Sequence, residues 1–124
     1  MNVITDAPFS LPEQPLQAEI VAKYFRGLGD PTRVRILELT SDRECSVGEL
    51  ATLIGAPQPK ISNHLACLRW CGFVDSRREH RTVYYRVADD RVRQLLALAR
   101  GLLADNAEHV AACRTIDAGP ADAR

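Results

Sequence analysis

The spacing of apolar residues along the chain predicts two helices in its first third. One helical face carries an apolar residue every four positions, at Leu16, Ile20, Tyr24 and Leu28. Glycines at positions 27 and 29 end this helix, and the three prolines and missing helical period of residues 1–15 indicate a flexible arm before it. Asp30 and Pro31 then favour a second helix, because aspartate caps free backbone N–H groups and proline at the first helical position loses no hydrogen bond.

A third and a fourth helix, joined by a tight connector, are predicted over residues 46–71. Ser46 and Glu49 have the spacing of a capping box, which opens a short helix. After the connector at residues 55–58, the fourth helix begins near Pro59 and ends before Gly72. At about 100° per residue, one narrow face of this helix is apolar and anchors it to the core. That face consists of Ile61, Leu65, Leu68 and Gly72.

The apolar pattern then changes from a helical period to a β pattern. Residues 73–74 and Thr82–Val87 are rich in aromatic and β-branched residues and flank the charged segment 77–81, which predicts a hairpin with a charged tip. From Asp89 onward the helical period returns in a last helix. Its apolar stripe, from Val92 to Leu103, is wide for the end of a small domain and is typical of a helix that meets a partner helix.

Together these elements predict a fold that is mainly α with a β-hairpin wing. Two helices joined by a short turn and followed by a basic hairpin are typical of a winged helix-turn-helix, whose second helix enters the major groove of DNA. Residues 16–113 are expected to form this domain with its dimerisation helices, and residues 114–124 a flexible tail. The candidate DNA-binding residues are Gln58, Lys60, Ser62, Asn63 and His64 on the fourth helix, and Arg77, Arg78 and Arg81 on the hairpin.

Composition and charge narrow the possible classes of protein. The chain has 124 residues, enough for one domain, and its 46% hydrophobic and 26% charged content argues against disorder. No apolar run approaches the roughly 20 residues that span a bilayer, and no signal-peptide pattern is present, so a cytoplasmic location without a membrane partner is expected. The formal net charge is zero, yet residues 60–86 carry six Lys or Arg against two Asp or Glu. This segment is therefore the one suited to face phosphates.

Four collinear motifs make the sequence resemble the ArsR/SmtB family of metal-responsive repressors. They are Leu28–Leu37, Ile61–Leu68, Cys71–Val74 and Thr82–Tyr85. The resemblance implies a homodimer, with the first and last helices at the interface, bound to a palindromic operator in double-stranded DNA. The sequence departs from the family at His80, where a glycine is frequent at the turn of the wing; histidine tolerates a positive φ better than most residues.

Two effector sites used elsewhere in this family are absent from the sequence. The arsenic-type site has a Cys-Val-Cys pattern on the third helix, where this chain has Ser46-Val47-Gly48, with only Cys45 beside it. The zinc-type site on the last helix requires histidines at positions that hold Arg91 and Leu102. A cation at that place would meet a like charge and an aliphatic side chain, so both types of site are excluded.

The remaining cysteines form a different candidate site. Cys67 and Cys71 lie four residues apart on the fourth helix, so their sulfurs can share one soft metal, and Cys113, just past the last helix, is a candidate third ligand. This arrangement resembles the CmtR-like branch of the family, which senses cadmium and lead and takes the third thiol from the other subunit. The expected effector is therefore Cd²⁺ or Pb²⁺, because soft thiolates select soft ions.

Two alternatives use the same residues. As³⁺, which also binds three thiolates, or oxidation of the thiols could replace the divalent metal as the signal. An enzyme with a Cys–His nucleophile is the alternative from another class, since His64 and Cys67 are one turn apart. No acidic residue that could orient His64 and no glycine-rich oxyanion loop is apparent, so we expect no enzymatic activity.

Overall fold

The computed structural model describes residues 14–116, with side chains from residue 17 onward. It divides into two compact units between Asp89 and Asp90. The first unit contains α1 (Gln14–Gly27), α2 (Pro31–Asp42), β1 (Cys45–Ser46), α3 (Val47–Ile54), α4 (Gln58–Trp70), β2 (Val74–Glu79) and β3 (Thr82–Val87). The second contains α5 (Asp90–Leu103) and α6 (Ala107–Ala111). No helix within these residues has the length and apolar character needed to cross a membrane.

The helix starts inferred from the sequence are confirmed by their caps. The carboxylate of Asp30 accepts hydrogen bonds from the backbone N–H groups of Thr32 at 2.8 Å and Arg33 at 3.2 Å. Ser46 and Glu49 exchange the reciprocal pair of a capping box, at 3.1 and 2.8 Å. Both devices satisfy backbone donors that a helix N-terminus otherwise leaves without partners.

The sheet contains a strand that the sequence pattern did not reveal. Its order is β1-β3-β2, and all the pairs are antiparallel. The two-residue strand β1 pairs Cys45 with Tyr85 and Ser46 with Tyr84. A segment this short shows no alternation of apolar and polar residues, so it has no signature of its own in the sequence.

The wing is a hairpin, as predicted, but the expected tip at residues 77–81 is too long. Strand β2 continues through Arg77 and Arg78 to Glu79, which pairs with Thr82. Only His80 and Arg81 remain in the turn. His80 has φ 58°, and it is the one non-glycine residue with a positive φ among residues 14–116. The expectation that histidine is accommodated in this turn is thereby confirmed.

The core of the first unit lies between the helices and the inner face of the sheet. Its fully buried side chains include Ile36, Leu37, Leu50, Ile61, Leu65, Leu68, Phe73 and Val74. The three apolar residues predicted to anchor α4 are among them, whereas Gly72 is exposed with φ 85° and closes the helix. The ring of Phe73 stacks on that of Tyr24 at 4.5 Å, which joins α1 to the end of α4.

Two boundaries differ from those expected. The first helix includes Gln14 and Pro15, which had been assigned to the flexible arm, and residues 114–116, expected in the tail, are helical. The remainder of the expected arm and tail, residues 1–13 and 117–124, lies outside the described residues. In the second unit, Val92 and Leu96 are buried, whereas Leu98 and Leu102 are 65% and 75% exposed.

Candidate nucleic-acid interface and thiol pair

Helix α4 presents a polar surface opposite its buried face. The preceding turn is set by Gly55, whose left-handed φ of 80° ends α3, and by Pro57, whose carbonyl accepts the first N–H groups of α4. Because Ile61, Leu65 and Leu68 face the core, the other side of the helix is in solvent. The candidate residues exposed on this helix are Gln58, Lys60, Ser62 and Asn63.

His64, by contrast, is directed toward another helix. Its side chain is only 14% exposed. The Nδ1 atom accepts a hydrogen bond from Nε of Arg33 at 3.0 Å, and Nε2 lies 3.9 Å from Oδ1 of Asp30. Because Nδ1 is the acceptor, the ring proton of the neutral imidazole resides on Nε2 and faces the Asp30 carboxylate. His64 is thus a hydrogen-bonded residue that joins α4 to α2, and Asp30 is an acid beside it that the sequence did not reveal.

Arg33 connects three segments of the first unit. Besides bonding His64 on α4, its guanidinium donates to the backbone carbonyl of Gly27, the last residue of α1, at 3.2 Å. Its own N–H is capped by Asp30. Partial burial would raise the pKa of Asp30, but the backbone hydrogen bond from Arg33, the electrostatic attraction of the nearby His64 ring and the backbone hydrogen bond from Thr32 outweigh it and lower that pKa. The sequence predicted the helix start at Asp30, but it did not indicate that Asp30 and Arg33 also contact His64.

Of the basic residues predicted on the wing, Arg77 is bound to other side chains. Its Nε lies 2.9 and 2.8 Å from the two carboxylate oxygens of Glu44, and a terminal nitrogen donates to Glu79 at 2.8 Å. The hydrogen bond from Arg77 lowers the pKa of Glu44. Arg78 and Arg81 are exposed near the turn of the hairpin. Nothing in the sequence pairs Glu44 with Arg77, because the partner strand β1 was not predicted.

Cys67 and Cys71 lie together at the end of α4. Cys67 is partly buried, and Cys71 is exposed at the C-cap, where its N–H donates to the carbonyl of Cys67 at 3.0 Å. Loss of contact with water raises the pKa of the Cys71 thiol, and the neighbouring Cys67 raises it further; the charges of Arg33 and Lys23 act in the opposite direction. Both thiols are therefore accessible from the same side of the helix end.

The other two cysteines have different surroundings. Cys113, in the second unit, is partly buried beyond α6. Cys45 is fully buried in β1, and burial raises the pKa of its thiol, so it is protonated at neutral pH and behaves as a small core residue, as expected. Among residues 14–116 of one chain, no three Cys, His, Asp or Glu side chains are grouped so as to hold a metal.

A large aromatic residue is exposed at the end of α4. Trp70, between the two cysteines in sequence, is 91% exposed. A tryptophan side chain with this exposure is unusual, since large aromatic residues are mostly buried on average. It places an indole ring in solvent at the same helix end as both thiols.

Comparisons with known proteins agree on a single family. The family model described as bacterial regulatory protein, arsR family, matches residues 30–76. The chain is 41% identical over 98 residues to the probable mercury resistance operon repressor of Streptomyces lividans, a match that covers 79% of this chain and 78% of that protein. It is 44% identical over 102 residues to KmtR of Mycobacterium tuberculosis (82% and 74% covered) and 41% identical over 81 residues to CmtR of Mycobacterium bovis (65% and 69%).

Solved structures show the same fold. The crystal structure of Rv0081 from M. tuberculosis matches with a TM-score of 0.72 at 36% identity, covering 81% of this chain and 100% of that one. The homodimeric winged helix-turn-helix DNA-binding domain of Mb0332 from M. bovis matches with a TM-score of 0.67 at 31% identity, covering 79% and 94%. The predicted winged helix-turn-helix is thus confirmed.

Proposed function

Because the chain belongs to the ArsR family of bacterial regulatory proteins, we propose that it is a homodimeric repressor that leaves its operator when a soft metal binds to its thiols. Its relatives and structural neighbours are transcriptional regulators, and the chain is a DNA-binding regulator rather than an enzyme. Its relatives include a probable repressor of a mercury resistance operon and the regulators KmtR and CmtR, which supports a metal as the class of signal.

The DNA-binding part of the proposal is supported by the exposed side of α4 and the neighbouring wing. Lys60 and Asn63 have the donors and acceptors that read guanine and adenine edges, Gln58 and Ser62 supply further polar contacts, and Arg78 and Arg81 supply charge for phosphates. A dimer that presents two such surfaces about a two-fold axis would match a palindromic operator.

The dimer part of the proposal is supported by apolar residues that are exposed to solvent on two helices. On α1 these are Ile20, Val21 and Phe25, and on α5 they are Leu98, Leu102 and Leu103. Apolar faces of this kind on a small monomer mark contact surfaces. Homodimeric association of the Mb0332 domain supports the same use here.

The effector part of the proposal rests chiefly on one observation, the adjacent Cys67 and Cys71 thiols at the accessible end of α4. Two thiolates fit a soft cation but leave its coordination shell incomplete, and Cys113 supplies the third sulfur, from either subunit. A Cd²⁺ or Pb²⁺ ion held there would favour the thiolate forms over the thiols. In a reducing cytoplasm the thiols would stay available for the metal.

Coupling between metal and DNA follows from the position of the ligands. Cys67 lies in the last turn of α4 and Cys71 is its C-cap residue, whereas Lys60 and Asn63 lie in the first half of the same helix. A bound metal would fix the positions of both sulfurs at the end of α4. This constraint would therefore act on the same rigid helix that reads DNA. A coupling free energy of about 1–3 kcal/mol would change DNA affinity by about 5- to 150-fold.

The decisive experiment compares three serine variants. The anisotropy of a fluorescein-labelled duplex, selected in vitro against the wild-type protein, would report DNA release as Cd²⁺, Pb²⁺, As³⁺ or Zn²⁺ is added anaerobically, while thiolate charge-transfer absorption would report metal binding. We expect Cys67→Ser and Cys71→Ser to bind DNA normally but to lose release, and Cys113→Ser to keep some metal binding with little release. Cys45→Ser is the matched control. Release that persists in the first two variants and fails in Cys45→Ser would overturn the site.

The alternative signals are separated by the same assay. Release by As³⁺ but not by Cd²⁺ or Pb²⁺ would assign the site to trivalent arsenic. Release by peroxide, with reversal by dithiothreitol and without metal, would assign it to thiol oxidation, for which the contact between Cys67 and Cys71 is the favouring observation.

A further inference from the structure

The side chain of Arg77 extends across the whole three-stranded sheet. Strands β1 and β2 are its two edges, and β3 lies between them. On β3, Tyr84 is paired with Arg77 on one side and with Ser46 on the other. Glu44 directly precedes β1, so an ion pair between Arg77 and Glu44 joins opposite edges of the sheet, about 10 Å apart at the usual strand spacing.

The contacts of this guanidinium involve every part of it. It lies 5.0 Å above the ring of Tyr84. On the far side, one terminal nitrogen is 2.7 Å from Oε1 of Glu44 and Nε contacts both oxygens, which is a bidentate pairing. The other terminal nitrogen bonds Glu79 on its own strand at 2.8 Å. Planar, multiply bonded geometry of this kind is specific to arginine and is not reproduced by lysine.

The charge of Arg77 is also offset. Two carboxylates, Glu44 and Glu79, contact this one guanidinium, so its positive charge is compensated locally. A DNA phosphate that approached Arg77 would be repelled by both carboxylates and would have to displace them from the guanidinium. Arg78 and Arg81 are exposed, and within the part of the chain that the structure describes neither forms an ion pair with a carboxylate.

We propose that Arg77 is a positioning residue that fastens the wing to β1, and that it is not one of the phosphate contacts. The proposal rests on the wing lying against DNA, which belongs to the function proposed above. This proposal gives a different role to Arg77, which the sequence alone placed among the candidate DNA-binding residues.

The consequence of this fastening is a fixed relation between wing and recognition helix. Strand β1 leads directly into α3, the first helix of the helix-turn-helix. Backbone pairing between β1 and the hairpin involves only two residues of β1, Cys45 and Ser46. The bridge from Arg77 to Glu44 adds a side-chain tie at the same place, so the wing turn and the exposed side of α4 keep one separation.

The test uses opposite signs of charge change. Arg77→Lys keeps the positive charge but loses the bidentate geometry, and Glu44→Gln removes a negative charge but loses the same bridge. A phosphate contact would tolerate the first change and would be strengthened by the second. A positioning role predicts that both weaken binding to the duplex selected in vitro, by about two- to fivefold. Asp75→Asn, on the same strand, is the control for loss of an acid, and we expect its affinity to stay equal or to rise.

Salt dependence and hydrogen exchange complete the design. On a random-sequence duplex of the same length, Arg78→Gln should flatten the plot of log affinity against log salt by about one phosphate per protomer, whereas Arg77→Lys and Glu44→Gln should leave its slope unchanged. In the same two variants, without DNA, amide hydrogens of β2 and β3 should exchange faster than in wild type, and in Arg78→Gln they should not.

The outcomes separate this inference from the proposed function. Tighter DNA binding by Glu44→Gln, or wild-type binding and exchange by Arg77→Lys, would overturn the positioning role while leaving the wing on DNA. Wild-type DNA affinity in both Arg78→Gln and Lys60→Gln would instead show that neither the wing nor α4 contacts DNA, and would contradict the proposed function itself. Weaker binding and faster exchange in both bridge variants would support the role.

Discussion

Arg33 on α2 donates a hydrogen bond from Nε to Nδ1 of His64 on α4 over 3.0 Å. This contact links the helix proposed to read DNA to the helix start at Asp30. It also places a residue expected on the DNA surface mostly inside the protein.

Replacing His64 should therefore reduce stability as well as DNA binding. We expect His64→Ala to lower the free energy of unfolding by about 1–2 kcal/mol, because Arg33 loses a partly buried acceptor. Urea titration followed by circular dichroism measures this. Asn63→Ala, one residue away and exposed, should keep wild-type stability and relax base preference in DNA binding. Equal stability of the two variants would refute the structural role of His64.

Replacing His80 with glycine should stabilise the turn of the wing. With Glu79 paired to Thr82, the hairpin has a two-residue turn whose first residue, His80, has φ 58°. Glycine is preferred at that position because it has no Cβ. His80→Gly should raise the free energy of unfolding by about 0.5–1 kcal/mol and raise the melting temperature. A lower melting temperature would show that the histidine side chain stabilises the turn.

Acid should weaken the cap of α2. The pKa of Asp30 is lower in the folded chain than its ordinary value of 3.8, so its carboxylate adds stability at neutral pH, and this is lost as the pH falls below about 4. Asp30→Asn keeps an amide cap but does not titrate. We expect melting temperatures of the variant and wild type to converge between pH 7 and pH 3. A constant difference would show that ionisation of Asp30 is not involved.

The apolar face of α5 can be tested without disturbing buried residues. Leu96, in the middle of the predicted stripe, is 8% exposed within a single chain, so a charge there would unfold the protein rather than report on association. Leu102→Glu instead places a charge on an exposed apolar position and should yield monomers in sedimentation velocity. Ala104→Glu, just beyond the helix, is the control and should stay dimeric. A dimeric Leu102→Glu protein would exclude this face.

Trp70 should report occupancy of the thiol pair. Its side chain is in solvent and it directly precedes Cys71 in the chain, so a metal bound at the pair should change its fluorescence, saturating at one metal per site. The change should disappear in Cys71→Ser and persist in Cys45→Ser. Because thiolates bind the metal, the apparent affinity should rise with pH through about 7–9. A signal that survives in Cys71→Ser would place the metal elsewhere.

The helix-turn-helix and the wing were predictable because each has a local signal. Asp30 with Pro31, the capping box at Ser46 and Glu49, and the apolar spacing of α4 are all encoded within a few residues. The pair Cys67 and Cys71 was found in the same way, by its spacing on one helix.

The contacts that assign roles to individual side chains were not predictable, because their partners are distant in the chain. His64 bonds a residue 31 positions earlier, and Arg77 one 33 positions earlier. A basic residue that faces an acid across a sheet has the same sequence pattern as one that faces solvent. Spacing therefore identified the elements of the interface but could not assign which of their polar residues face outward.

The bond from Arg33 to the carbonyl of Gly27 has a consequence for operators. Through this one guanidinium, the end of α1 and the middle of α4 are held to a common point. If α1 meets a second copy across a two-fold axis, the distance from that axis to each recognition helix is set within the protomer rather than by the DNA. The number of base pairs between the two half-sites would then be narrowly restricted, because each added or removed base pair shifts the second half-site by about 3.4 Å along the duplex and turns it by roughly 35° around the helix axis.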